Sequence, residues 1–236
     1  MKMQASQVSI DPDEIAKFEA MAEEWWDPNG KFKPLHLINP LRVSYIEDKV
    51  RLKGLDILDI GCGGGILSEA LSLKGANVTA IDLADGPLEV AKIRQKESRL
   101  DIKYEKKSTS ELVNGGGKYD VITCLEMLEH VPDPAEIVKD CADLTKSGGH
   151  LFFSTINRNL KSFVFAILGA EYILNILPQG THEFEKLIKP SELKNYVDAA
   201  KLDFEEVKGM SYLPILDIVR LTEDSSVNYI VHARKK

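Results

Sequence analysis

The chain has 236 residues, 44% hydrophobic and 28% charged, with 30 Lys+Arg against 37 Asp+Glu for a net charge of −7. This composition suits one globular domain with a sizeable core and excludes global disorder, and the acidic balance argues against generic nucleic-acid binding, which needs a surplus of Lys and Arg on one face. Three widely spaced cysteines, Cys62, Cys124 and Cys141, make neither a disulfide framework nor a zinc site and point to a reducing, cytoplasmic setting; the opening MKMQASQVSIDPDE lacks the apolar run of a signal peptide.

Residues 11–50 read as a helical cap, carrying Trp25-Trp26 and an NPLR loop at 39–42. Strand-like and helix-like runs alternate from there: LDILDI (55–60), a helix over ILSEALSLKG, NVTAID (77–82), a helix over 87–98, DIKYEKK (101–107) and YDVITC (119–124). A helix over 134–145 ends at Gly148-Gly149, which suits a C-cap, and HLFFST (150–155) follows. An apolar insert at 158–190 then breaks the rhythm. A helix over 191–200 and strands at 204–213 and 227–233 complete the chain. The β-α-β-α order requires crossover connections. The expectation is one α/β domain over 1–236: a doubly wound, Rossmann-like sheet of seven mostly parallel strands, with an N-terminal helical extension and a helical insert after the fifth strand.

Gly61-Cys62-Gly63-Gly64-Gly65 follows the first strand and opens a helix. Glycines there let a ligand approach the backbone, and the helix N-terminus favours negative charge. Ile66 stands where the dinucleotide fingerprint G-x-G-x-x-G/A needs a third small residue, which disfavours a nicotinamide dehydrogenase. Asp82 ends the second strand, where an acid can accept both ribose hydroxyls of an adenosine cofactor.

LDIGCGGG with VTAID resembles the class I S-adenosylmethionine-dependent methyltransferases. IAKFEAMAEEWWD, FKPLHLINPLR, CLEMLEHVPDP, FFSTINRN, GAEYIL and GTHEFEKLIKP sharpen this to a resemblance to the ubiquinone-biosynthesis O-methyltransferases over about residues 14–198. The resemblance implies methylation of both hydroxyls of polyprenylated catechol-type ubiquinone precursors. It also implies cofactor contacts at Arg42, Gly61, Asp82 and Leu125, with Gly63 as a secondary one. Leu125 replaces a methionine found in part of the family, and Lys107-Ser108-Thr109-Ser110 stands where wider relatives carry an acid for the adenine amino group.

Glu126, Glu129 and His130 follow YDVITC, at the carboxyl end of a strand where open α/β sheets bind ligands. In a helical turn they share a face. Three readings stand. They could ligate a divalent cation, Mg²⁺ first, as the resemblance implies, and so acidify a catechol; His130 could be a general base; or the set could be structural.

Trp25-Trp26 form either a wall over the cofactor or an anchor for the cap. His182 is a candidate for the substrate cleft, whereas His36, His150 and Cys62 read as structural. FVFAILGAEYILNIL (163–177), with Lys161 before it and Lys186 and Lys189 after it, is too short to span a bilayer. It suits either an interfacial helix on anionic lipid at the inner face of the membrane, where a polyprenyl substrate resides, or a lid. Other enzymes of the same biosynthesis are conceivable partners. The alternatives are an O-methyltransferase of another small phenol and a non-catalytic lipid- or partner-binding scaffold.

Overall fold

The computed structural model describes residues 11–159, 162, 184–213 and 217–236. Lys161, the apolar run 163–177 and His182 lie outside them.

In chain order the elements are α1 (Pro12–Ala20), α2 (Lys33–Lys49), β1 (Asp56–Ile60), α3 (Ile66–Leu73), β2 (Asn77–Asp82), α4 (Asp85–Ser98), β3 (Ile102–Lys106), α5 (Thr109–Asn114), β4 (Tyr119–Leu125), α6 (Pro134–Leu144), β5 (Thr145–Ile156), α7 (Pro190–Ala199), β6 (Leu202–Leu213), β7 (Ile218–Thr222) and β8 (Asn228–Lys235). Short 3-10 turns lie at Ala22–Glu24, Leu128–His130 and Phe184–Lys186.

The strands form one sheet in the order β3-β2-β1-β4-β5-β8-β6-β7. The first five pair in parallel, and β8, β6 and β7 add antiparallel pairs. The sheet therefore has eight strands rather than the seven expected. The additional one, β7, pairs antiparallel with Gly209–Leu213 of β6, a short hairpin return that periodicity alone did not separate from a loop.

Successive residues of a strand face opposite sides. Ile57, Val121, Phe152 and Ile230 pack into one core with Tyr45, Ile46, Leu71 and Leu88. Leu58, Ile122, Phe153 and Val231 pack into the other with Val138, Cys141, Leu193 and Val197. Both faces are thus covered, which is why these strands read as nearly continuous apolar runs. All three cysteines are buried and free.

Two local expectations change. NPLR is not a loop: it lies inside α2, with Pro40 in the helix interior, and α2 packs its buried Ile38, Val43, Tyr45 and Ile46 inward. Tertiary burial here outweighs the hydrogen bond that a helical proline removes. The helix over 134–145 ends at Leu144 with Thr145 extended, so Gly148-Gly149 lie within β5 rather than at a C-cap. The irregular pairing of β5 with β4 between Tyr119 and Val121 absorbs the glycines.

Among the described residues no helix is long and apolar enough to cross a membrane.

Candidate active site

β1 lies between β2 and β4 at the point where the strand order reverses, and ligands bind beyond the carboxyl ends of strands at such a switch point. A cavity of about 330 Å³ opens there. Arg42, Gly61, Gly63, Asp82, Leu125, Glu126 and His130 all line it.

The glycine loop is held by its own protein. Asp82 accepts the Gly63 amide at 2.8 Å and, with its other oxygen, the Leu83 and Ala84 amides at 2.7 and 2.9 Å. Burial pushes the Asp82 carboxyl above its usual range, against the pull of these amides. Beneath the loop, Asp59 accepts from Ser68 at 2.6 Å and Thr123 at 2.8 Å; burial raises its pKa to about 6 in spite of both bonds. These carboxyl groups give the cavity an acidic floor, which suits a cationic ligand.

Trp25 lies directly on the glycines. A Cβ on Gly63 would stand 2.0 Å from its ring, and one on Gly64 2.3 Å. The Trp25 ring stacks on Phe32 at 4.1 Å, and the Trp26 indole donates to the Gly64 carbonyl at 2.8 Å. Trp25 is therefore both the anchor of the N-terminal cap and a wall of the cavity. Gly63 and Gly64 make room for an indole of this chain, a role beyond the ligand approach expected of them.

Glu126 has a left-handed backbone, φ 53°, so the chain turns sharply after β4. Its carboxylate accepts from Arg42 at 2.5 Å, from Ser154 at 2.7 Å and from Asn228 at 3.3 Å. Glu129 is buried at 2% exposure, and Thr155 donates to one of its oxygens at 2.8 Å. Burial, reinforced by the charge of Glu126, raises the Glu129 pKa to about 8. His130 instead meets the N-terminal cap: its Nδ1 lies 2.8 Å from Glu14 Oε2, and Phe18 packs edge-on against its ring at 5.1 Å.

The expected metal triad is thus not assembled. The left-handed residue and the 3-10 turn after it replace the single helical turn in which the three groups would share a face. Glu126 meets Arg42, Ser154 and Asn228, Glu129 meets Thr155, and His130 is turned to Glu14. No group of three or more His, Cys, Asp or Glu side chains among the described residues converges as a metal site. As arranged here, the three side chains do not gather around one point.

A family profile of the methyltransferase domain matches residues 39–207. Among curated proteins, the ubiquinone biosynthesis O-methyltransferase of Marinobacter nauticus is 54% identical over 229 residues, 96% of each chain. That of Nitrosospira multiformis is 55% identical, covering 96% of this chain and 95% of its own, and that of Saccharophagus degradans is 52% identical over 99% and 100%. The chain belongs to the ubiquinone biosynthesis O-methyltransferase family. In fold, this family member is similar to the magnesium protoporphyrin IX methyltransferase of Synechocystis, with a TM-score of 0.66 at 20% identity over 87% of this chain and 85% of that one.

Sequence reasoning about this ubiquinone biosynthesis O-methyltransferase family member missed three groups at the cavity. Glu14 is separated from His130 by 116 positions, and no spacing rule joins them. Asn228 opens β8 and is brought to Glu126 only by sheet pairing, and Asp140 lines the cavity from α6 while accepting from Thr109 at 2.6 Å. His36 is structural as expected, its Nε2 lying 3.0 Å from the Trp25 carbonyl, and His150 pairs with His232 at 3.0 Å, away from the cavity.

Proposed function

We propose that this S-adenosylmethionine-dependent O-methyltransferase acts on the catechol-type hydroxyls of polyprenylated ubiquinone precursors and performs both O-methylations. The reading is carried by one convergence: the glycine loop, Asp82, Arg42 and His130 meet in a single cavity at the sheet's switch point.

Asp82 would bind the ribose hydroxyls, Gly61 and Gly63 would admit the amino-acid end of the cofactor, and Leu125 would pack on the adenine. Arg42 lines the cavity with its guanidinium held by Glu126, and it would offer its charge to the cofactor carboxylate. Bound S-adenosylmethionine supplies an activated sulfonium methyl. The protein's part is alignment and proton removal. His130 would take the phenol proton, and the oxygen would then receive the methyl group that the bound cofactor supplies, with the neutral thioether as leaving group. No step is assigned to a divalent cation, because the Glu126, Glu129 and His130 side chains face different partners. We also propose that the run 163–177 contacts the membrane in which the prenyl tail resides.

Incubation with methyl-labelled cofactor and a prenylated catechol, read by mass spectrometry, tests the reaction. One label on the first substrate and a second on the later intermediate are expected, with the rate unchanged after EDTA treatment. A soluble catechol methylated equally well favours another small phenol as substrate. Cofactor binding without turnover favours a scaffold, and a rate abolished by EDTA and restored by Mg²⁺ returns the metal.

A further inference from the structure

α1 is an unusual cap helix. Its buried residue is Glu14, at 5% exposure, while the apolar Ile15 and Phe18 are only half-buried. Burying a carboxylate costs free energy unless charged or hydrogen-bonding groups meet it. Glu14 is met by His130 Nδ1 at 2.8 Å, by Lys17 at 2.8 Å and by Lys186 at 3.4 Å, and Lys186 also meets Asp11 at 3.2 Å. Burial alone would raise its pKa; the hydrogen bonds from His130 and Lys17, with the charges of Lys17 and of His130 when it is protonated, outweigh that and lower it to about 2. The three basic groups around Glu14 favour its ionised form. A carboxylate accepts only, so the proton of a neutral imidazole facing it sits on Nδ1 and the lone pair is on Nε2.

The rest of α1 is clamped so that this contact is geometrically defined. Glu19, one turn further on, accepts the Asp85 amide at 2.5 Å and the Gly86 amide at 2.7 Å. It thereby caps α4, whose own N-cap, Ala84, offers no side-chain acceptor. Phe18 fixes the ring plane of His130 from the edge. Glu14, His130 and Phe18 all line the cavity that holds Asp82 and the glycine loop.

We propose that Glu14 is a positioning residue for the methyl transfer: brought in on α1, its carboxylate fixes the tautomer and orientation of His130 so that Nε2 receives the phenol proton, and it stabilises the imidazolium that results. The inference rests on His130 as the base, as read above. It places part of the reaction machinery in the N-terminal cap, outside the matched domain at 39–207.

The bland alternative is that Glu14 only docks α1. Acidity of the substrate separates the two. A catechol bearing a nitro group is already largely ionised at neutral pH and needs little help from a base, so loss of a positioning residue matters less for it. Glu14→Gln keeps the size and one acceptor but removes the charge. On a prenylated catechol of ordinary acidity, kcat is expected to fall on the order of 10- to 100-fold, with KM and cofactor affinity unchanged. On the nitrocatechol the loss shrinks to a few-fold. Glu14→Asp recovers part of kcat, formate partly rescues Glu14→Ala, and Glu14→Gln adds little in a His130→Gln background.

Equal losses on both catechols, or loss of cofactor affinity through undocking of α1, make Glu14 an anchor and overturn the proposal, as does a failure of both the Asp variant and formate to restore activity. A drop in His130→Gln with none in Glu14→Gln overturns the positioning role while keeping the base. Full activity in His130→Gln removes the base itself.

Discussion

At the scale of single residues, the site separates two glutamates three positions apart by environment. Glu126 is partly exposed and held by a guanidinium, whereas Glu129 is buried, one of its oxygens meets no partner among the described residues, and the charge of Glu126 opposes its ionisation. Its pKa of about 8 lies above the ordinary 4.5, so the folded state holds a proton that the unfolded state has released. The contribution to stability is full below about pH 4.5 and is lost as pH rises through about 8. Glu129→Gln removes this titration while keeping the shape. The melting temperature of the variant relative to wild type is therefore expected to climb between pH 5 and 9, by on the order of 5 °C or more if the difference reaches a few kcal/mol. A difference that stays flat across that range would falsify the protonated state.

At the scale of elements, the connection between the cap and the sheet runs through an indole on two glycines. Gly64 is the informative position, because its φ is not in the left-handed region, so that a Cβ introduces a clash with Trp25 and no backbone strain. Gly64→Ala places that carbon 2.3 Å from the Trp25 ring, and the ring has Phe32 stacked on it at 4.1 Å. Overpacking of this kind costs about 1–3 kcal/mol. We expect a loss of that size in urea unfolding, together with weaker cofactor binding. Trp25 and Trp26 are the two tryptophans of the chain, and Trp25 lines the cavity, so intrinsic fluorescence follows both events. Adding Trp25→Leu to the Gly64→Ala protein relieves the clash. If Gly64→Ala costs as much in the Trp25→Leu background as in wild type, the contact is not what the glycine serves.

At the scale of the whole molecule, the net charge of −7 works against adsorption to an anionic membrane, and local features have to overcome it. Of the three lysines flanking the apolar run, Lys186 is engaged by Asp11 and Glu14. The cationic contribution proposed for the flanking lysines, at about 1 kcal/mol per cation near the surface, is therefore reduced at Lys186. Each large apolar side chain transferred from water adds about 1.5–3 kcal/mol when fully buried. Co-sedimentation with liposomes is expected to be reversible, stronger on anionic lipid and weakened by salt. Phe163→Glu combined with Ile167→Glu is expected to release the protein while sparing turnover of a short-tail, water-soluble catechol. Wild type that stays in the supernatant with every lipid, or equal loss of short-tail activity in the double variant, assigns the run to a lid.

The sequence by itself determined the parallel half of the sheet and the glycine turn and acid that stand at its switch point. Apolar runs mark β1, β4 and the second half of β5, because a strand covered on both faces must be apolar throughout. The turn from β1 into α3 and the acid ending β2 are likewise local in the chain. What only the tertiary structure decided is which partners the polar groups of the other half take. Glu126, Glu129 and His130 are neighbours in sequence, yet a left-handed residue and a 3-10 turn send them to Arg42 and Asn228, to Thr155 and to Glu14. NPLR reads as a loop from its proline and is a helix interior because α2 has a core face to bury. The Glu14–His130 pair joins residues 116 positions apart through the docking of α1, and no local spacing encodes it. Side-chain periodicity reports which face is buried; it carries no information about which distant group will stand opposite, and that is settled by packing.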